Sequence, residues 1–239
     1  MVRPLIAFSA LLLFGSSRVL SQILTADVPL EVVVDGPSDD ARAVQGHITN
    51  IGTRTATAWS LRIAFTYSDR PRSTSYMDQD NYHLVAVPAP DGHGPLRAGQ
   101  SVAFIVGLPD TILPIATSIV PVAVVYDDGT GIGQTERVDA IFARRLRDVD
   151  AAKEIVSELQ TLVTNGRLTT EALQQLSNDL KATASSEQDL GLRSVAVSNI
   201  AVIIWRQQGQ PASLSSGVAS LISLFNQYLQ GAQQHSQRR

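Results

Sequence analysis

The sequence predicts an α+β chain in two parts, an antiparallel β-sandwich followed by a C-terminal antiparallel helical bundle. Three observations carry this expectation. Short β-branched runs separated by Pro, Gly and Asp/Asn turns fill residues 23–134. After Gln134 the apolar period changes from two to three or four. The chain has 239 residues, 44% hydrophobic and 17% charged, enough for one or two domains with buried cores.

The first residues are of a different kind. "MVRPLIAFSALLLFGSSRVLSQ" begins with Arg3, continues as an apolar run over 5–14 and ends in small polar residues. That run is far short of the roughly 20 residues a membrane-spanning helix needs. Val19 and Ser21 suit cleavage before Gln22, as in a secretory signal peptide, with a cut after Ser17 or an uncleaved interfacial helix as alternatives. The expected organisation is a signal peptide over 1–21, the sandwich over 22–134 and the helical region over 135–239. An exported protein, periplasmic or secreted, follows from it, with no transmembrane segment after cleavage.

Within the first part, "LEVVVDGP" and "RAVQGHITNIG" supply two strands. "ATAWSLRIAFTYS" alternates, with Ala58, Ser60, Arg62, Ala64 and Thr66 on one side and Trp59, Leu61, Ile63, Phe65 and Tyr67 on the other. Period two with one large apolar face describes a strand half-buried on a sheet, with Trp59 and Phe65 as core anchors. "SVAFIVGLP" and "SIVPVAVVYDDG" add two more strands. Pro121 in the latter favours an edge position, or a strand that starts after it. Asn50-Ile51-Gly52-Thr53 and "GPLRAGQS" are the turns, and the spacing of such signals suits two packed sheets.

Gly46, Asn50, Gly52, Phe65, Asp69, Leu96, Gly99, Ser101 and Phe104 follow an order similar to that of exported bacterial immunoglobulin-like domains of the FxLYD type. The chain departs from that family where "FTYSD" places Tyr67 and Ser68 in the name motif. The resemblance implies an immunoglobulin-like antiparallel β-sandwich and an extracytoplasmic setting. It implies no activity.

In the second part Phe142, Leu146, Val149, Ala152, Val156, Leu159 and Val163 form one amphipathic stripe, which Asn165-Gly166 ends. Leu173, Leu176 and Leu180 mark a helix starting near Thr169 or Thr170. Ser185 with Gln188 fits a capping box for a third helix that runs to about Gln208. It contains "VAVSNIAVIIW", apolar on nearly every side and therefore expected to lie centrally. Leu214, Val218, Leu221, Phe225 and Tyr228 form the last stripe, with Ser213 and Ser215 as caps, and the tail "GAQQHSQRR" over 231–239 is expected to fray.

The chemistry-bearing residues are sparse. The absence of cysteine removes disulfides, thiolate catalysis, cysteine-ligated metals and a lipoprotein anchor. A net charge of −3 provides no basic excess for nucleic acid. The four histidines show no zinc spacing, and no G-x-S-x-G or phosphate-loop pattern occurs. Asp78, Asp80 and His83, or Asp127, Asp128 and Glu136, are the nearest approaches to metal-ligand clusters, and each reads more simply as a polar turn. Catalytic, cofactor and metal residues are therefore expected to be none. Arg137, Arg144, Arg145 and Arg147 alternate with Asp139, Asp148 and Asp150, the pattern of a solvated, ion-paired helix face. Arg145 falls near the apolar stripe, which turns it toward the sandwich.

The segment 68–82 reads as a long polar loop. Its Arg70, Arg72, Tyr76, Asp78, Asp80 and Tyr82 form the candidate partner-binding set, because Tyr and Arg dominate binding hot spots. The expected function is a non-enzymatic interaction or assembly module of the cell envelope, with another envelope or extracellular protein as partner. A secreted hydrolase without a recognisable motif, or a calcium or small-ligand binder, are the alternatives.

Overall fold

The alternation of "ATAWSLRIAFT" becomes strand β3 (Ala56–Thr66), and its two faces meet different partners. The computed structural model describes residues 28–37, 42–69, 71–81, 94–108, 114–183, 191–207 and 213–235, so the expected signal peptide and third-helix capping box lie outside the described residues. Ahead of β3 come β1 (Leu30–Pro37) and β2 (Ala43–Asn50). After it come β4 (Ser73–Asp80), β5 (Ser101–Gly107), β6 (Ala116–Tyr126) and β7 (Gly131–Gly133). They make two antiparallel sheets, ordered β1-β2-β5 and β4-β3-β6-β7.

Trp59, Leu61, Ile63 and Phe65 of β3 point between the sheets. There they join Leu30, Ile48, Phe104, Val106, Val124 and Tyr126 in one apolar core to which both sheets contribute. Gly46 of β2 lies so close under the Phe104 ring that a Cβ would collide with it. The opposite face of β3 is also covered. Ala58 packs with Ala123 and Val125 of β6 against Val138, Ile141 and Phe142 of helix α1 (Thr135–Thr164).

Pro121 is not on an edge strand, because β6 pairs with β3 on one side and β7 on the other. It is tolerated because β7 reaches only residues 123–125 and the β3–β6 register shifts beside it, between Ser60 and Leu61. The irregularity also starts the helix. The Val122 carbonyl accepts from the Gln134 N–H at 2.7 Å, immediately before α1. Gly133 holds φ at +110° there, and a Cβ on it would run into that same carbonyl.

Thirty residues make α1 about 45 Å long, longer than its contact with the sheet. Its later turns enter a second core with α2 (Thr170–Ala182), α3 (Gly191–Gln207) and α4 (Ser213–His235). Gly166, at φ +64°, closes α1 with its N–H on Val163 O, while the Arg167 N–H reaches Leu162 O. Thr169 caps α2 by accepting from the Ala172 N–H. α3 touches all three other helices, as its apolar composition predicts, yet Val202 and Trp205 on its outer side are exposed. Leu146 and Val163, both in the predicted α1 stripe, are also exposed. Ser215 lies inside α4 rather than at a cap, and the helix continues to His235, past the point where fraying was expected. Among the described residues no helix is long and apolar enough to cross a membrane.

Candidate functional site

The segment 68–82 is not a loop: residues 73–80 form β4, an edge strand paired along its length with β3. Its polar composition has a structural reason. Tyr76, Asp78 and Asp80 alternate onto the outer face of the sheet, opposite Arg62, Ser60 and Ala58, where α1 lies. A strand facing arginines needs acids, not apolar residues.

Two arginines on α1, eight residues apart, meet two aspartates on β4, two residues apart. Arg145, only 1% exposed, donates from Nε to Asp80 Oδ2 at 2.8 Å and from Nη2 to Asp80 Oδ1 at 3.0 Å. This is the two-pronged geometry that makes arginine–carboxylate pairs strong. A further Nη2 bond of 2.9 Å goes to Thr57 Oγ1, which in turn donates to Val125 O at 3.1 Å. Asp80 is 8% exposed, and Arg144 Nη2 stands 3.9 Å from its Oδ2. One helical segment nearer the N-terminus, Arg137 pairs with Asp78, donates from Nε to Ser60 Oγ at 3.1 Å and stacks 4.3 Å from the Tyr76 ring centre.

The expected solvated face of α1 is therefore only partly solvated. Arg145 is buried against the sheet, and Asp148 reaches the bundle, accepting from the Leu192 N–H at 3.1 Å at the start of α3. These two side chains, three residues apart, hold the sheet on one hand and α3 on the other. Arg193 of α3 also pairs with Glu154 of α1 at 2.7 Å.

Of the six candidate partner-binding residues, Arg70 and Tyr82 lie outside the described residues. Asp78 and Asp80 are engaged with α1, through Arg137 and Arg145. Arg72 is exposed and Tyr76 is 45% exposed. His83 also lies outside the described residues.

The second acidic cluster is a hairpin turn between β6 and β7. Asp128 Oδ1 accepts from the Thr130 N–H at 2.9 Å and hydroxyl at 2.6 Å, and Arg54 lies 3.4 Å from Oδ2. The Thr130 bonds, helped by Arg54, hold the Asp128 carboxyl below its ordinary pKa. Arg54 also stacks 3.8 Å over Tyr126, whose hydroxyl pKa is raised by burial. A carboxylate already engaged by a guanidinium and two donors is poorly placed for calcium. Among the described residues no three Asp, Glu or His side chains are grouped to hold a metal ion. A surface depression of about 500 Å³ along α4 is lined by Ala219, Ser220, Ser223, Leu224 and Gln227, without a carboxylate or imidazole.

Five of the residues that carry the resemblance, Asn50, Gly52, Leu96, Gly99 and Ser101, meet at one end of the sheets. The buried Asn50 donates from Nδ2 to Arg54 O at 2.7 Å and Leu96 O at 2.8 Å, and its Oδ1 accepts from the Gly52 N–H at 3.0 Å. The Gly99 N–H bonds Asn50 O, and Thr49 and Ser101 share a hydroxyl bond of 2.7 Å. Comparison with family models, curated proteins and solved structures finds no match for the chain.

Proposed function

We propose that this chain is an exported, non-enzymatic interaction or assembly module of the cell envelope, built on an immunoglobulin-like sandwich. Three features support the reading. The strand order β1-β2-β5 against β4-β3-β6-β7 suits an immunoglobulin-like sandwich, in which the chain passes repeatedly between the sheets. The Asn50 corner provides a structural role for five of the residues that resemble the FxLYD type, Asn50, Gly52, Leu96, Gly99 and Ser101. The basic, apolar, then small-residue order of the N-terminus suits export.

One observation supports the non-enzymatic reading. Among the described residues the grouped carboxylates and guanidiniums at the sheet, Asp78 and Asp80 with Arg137 and Arg145, fasten α1 to it. They converge on each other, not on a space where a substrate atom would sit. α1 then continues into the bundle core, so one helix contributes to the packing on the sheet and to the bundle. The molecule's contact surface on this reading is the outer side of β4 around Arg72 and Tyr76, and its partner is another envelope or extracellular protein.

Affinity capture from an envelope extract tests this, with wild type beside Arg72→Ala/Tyr76→Ala. A partner retained by wild type and lost with the variant is expected. The same partners with both forms would exclude the β4 surface, and no partner with either would remove the interaction reading.

A further inference from the structure

The four sheet edges are not equally guarded against pairing with another chain. β1 carries Glu31 and Asp35, breaks register between Val34 and Gly36, and ends at Pro37. β7 is three residues long and leads directly into α1. β4 carries Asp78 and Asp80 on the face that α1 occupies. β5 has none of these devices: "SVAFIVG" contains no charge and no proline, and pairs with β2 without a register shift.

The direction of its backbone groups follows from bonds at either end. The Asn50 N–H bonds Gln100 O, and the Leu108 N–H bonds Arg42 O, so the even-numbered residues of this strand turn toward β2. With an unbroken register between them, Ser101, Ala103, Ile105 and Gly107 direct their N–H and C=O groups to the open edge. Those groups have no backbone partner among the described residues. The Ile105 side chain is 68% exposed beside them.

We propose that β5 pairs antiparallel with β5 of a second copy of this chain, about a two-fold axis at Phe104. That register is the one in which every outward residue meets an outward residue. Ser101 faces Gly107 of the second copy and Ala103 faces its Ile105, with both relations repeated by symmetry. Each such pair exchanges two bonds, so the four pairs offer about eight. Phe104 falls on the axis, where its side chain stays in its own core. The two Ile105 side chains become diagonal neighbours and cover each other. The uncharged strand brings no like charges together, and small Ala103 accommodates Ile105. The product is one six-stranded sheet ordered β1-β2-β5-β5-β2-β1, an isologous contact.

Sedimentation equilibrium of the purified protein, with amide exchange at two concentrations, tests the pairing. A monomer–dimer equilibrium is expected, with Ala103 and Ile105 amides gaining protection as concentration rises and Phe104 protected throughout. Ile105→Pro deletes an outward donor at an edge position that accepts proline. Ile105→Lys keeps the amide but sets two positive charges beside the axis. Both variants should weaken dimerisation about tenfold or more while the monomer stays folded, and the lysine variant carries the test if the proline variant misfolds. A protein monomeric at every concentration, a dimer untouched by Ile105→Lys, or exchange at Ala103 and Ile105 independent of concentration would overturn the pairing. An extended segment of another protein occupying β5 while the chain stays monomeric would overturn it too.

Discussion

Replacing Arg145 with methionine removes both bonds to Asp80 and the bond to Thr57, while leaving a side chain of similar length. The cost comes mainly from what remains. Asp80 keeps its buried position and loses the two donors that compensate its charge, and removing one member of such a pair costs about 3–5 kcal/mol. Arg144, 3.9 Å away, recovers part of this, which places the expected loss near the lower end, about 3 kcal/mol. Asp80→Leu should cost a similar amount by taking from the buried Arg145 the carboxylate that balances its charge. The double variant Arg145→Met/Asp80→Leu should cost clearly less than the sum, with a coupling energy of about 2–3 kcal/mol. Urea unfolding followed by far-ultraviolet circular dichroism measures all three. The bundle core does not include this pair, so the single variants should also separate loss of the sheet from loss of the helices. A single-variant cost below about 1 kcal/mol, or strictly additive costs, would refute the view that this pair fastens α1 to the sheet.

Trp59 is fully buried between the sheets, so Trp59→Ala should cost about 3–5 kcal/mol through cavity formation, read from the urea midpoint at unchanged slope. Asp148→Ala removes the side-chain acceptor at the start of α3 and should cost about 1 kcal/mol, with faster amide exchange at Leu192. Asp128 has a folded pKa below its unfolded one. Its stabilisation is therefore complete above the unfolded value and disappears as the pH falls through the folded one, in a window below about pH 4. Asp128→Asn should flatten that part of the acid-unfolding profile, and an unchanged profile would show that the Thr130 bonds do not matter to stability.

Legibility in the sequence followed how local each determinant is. The two faces of β3 were readable because period two persists through 56–66, and Trp59, Leu61, Ile63 and Phe65 all face the shared core. Three of the four helices were readable from stripes such as Leu214, Val218, Leu221, Phe225 and Tyr228, all buried, and α3 from its continuous apolar run. β4 was missed because "STSYMDQD" lacks apolar alternation, its outer positions being matched to a charged helix rather than to a core. The pairing of Arg145 with Asp80 spans 65 positions and leaves no spacing signature between the two. A weaker signal was present: acids two apart in a strand-like segment, and arginines eight apart on one helix face. Pro121 misled because a proline inside a strand normally marks an edge, and the bulge beside it depends on β7 ending early.

The claim that this protein works by contact through β4 is tested most directly in the cell. A photo-crosslinking residue placed at Tyr76 should trap a distinct protein partner outside the cytoplasm, while one placed at Ser223, exposed on α4, should not. Identical products from both positions, or none from Tyr76 in a chain shown to be exported and folded, would contradict the account.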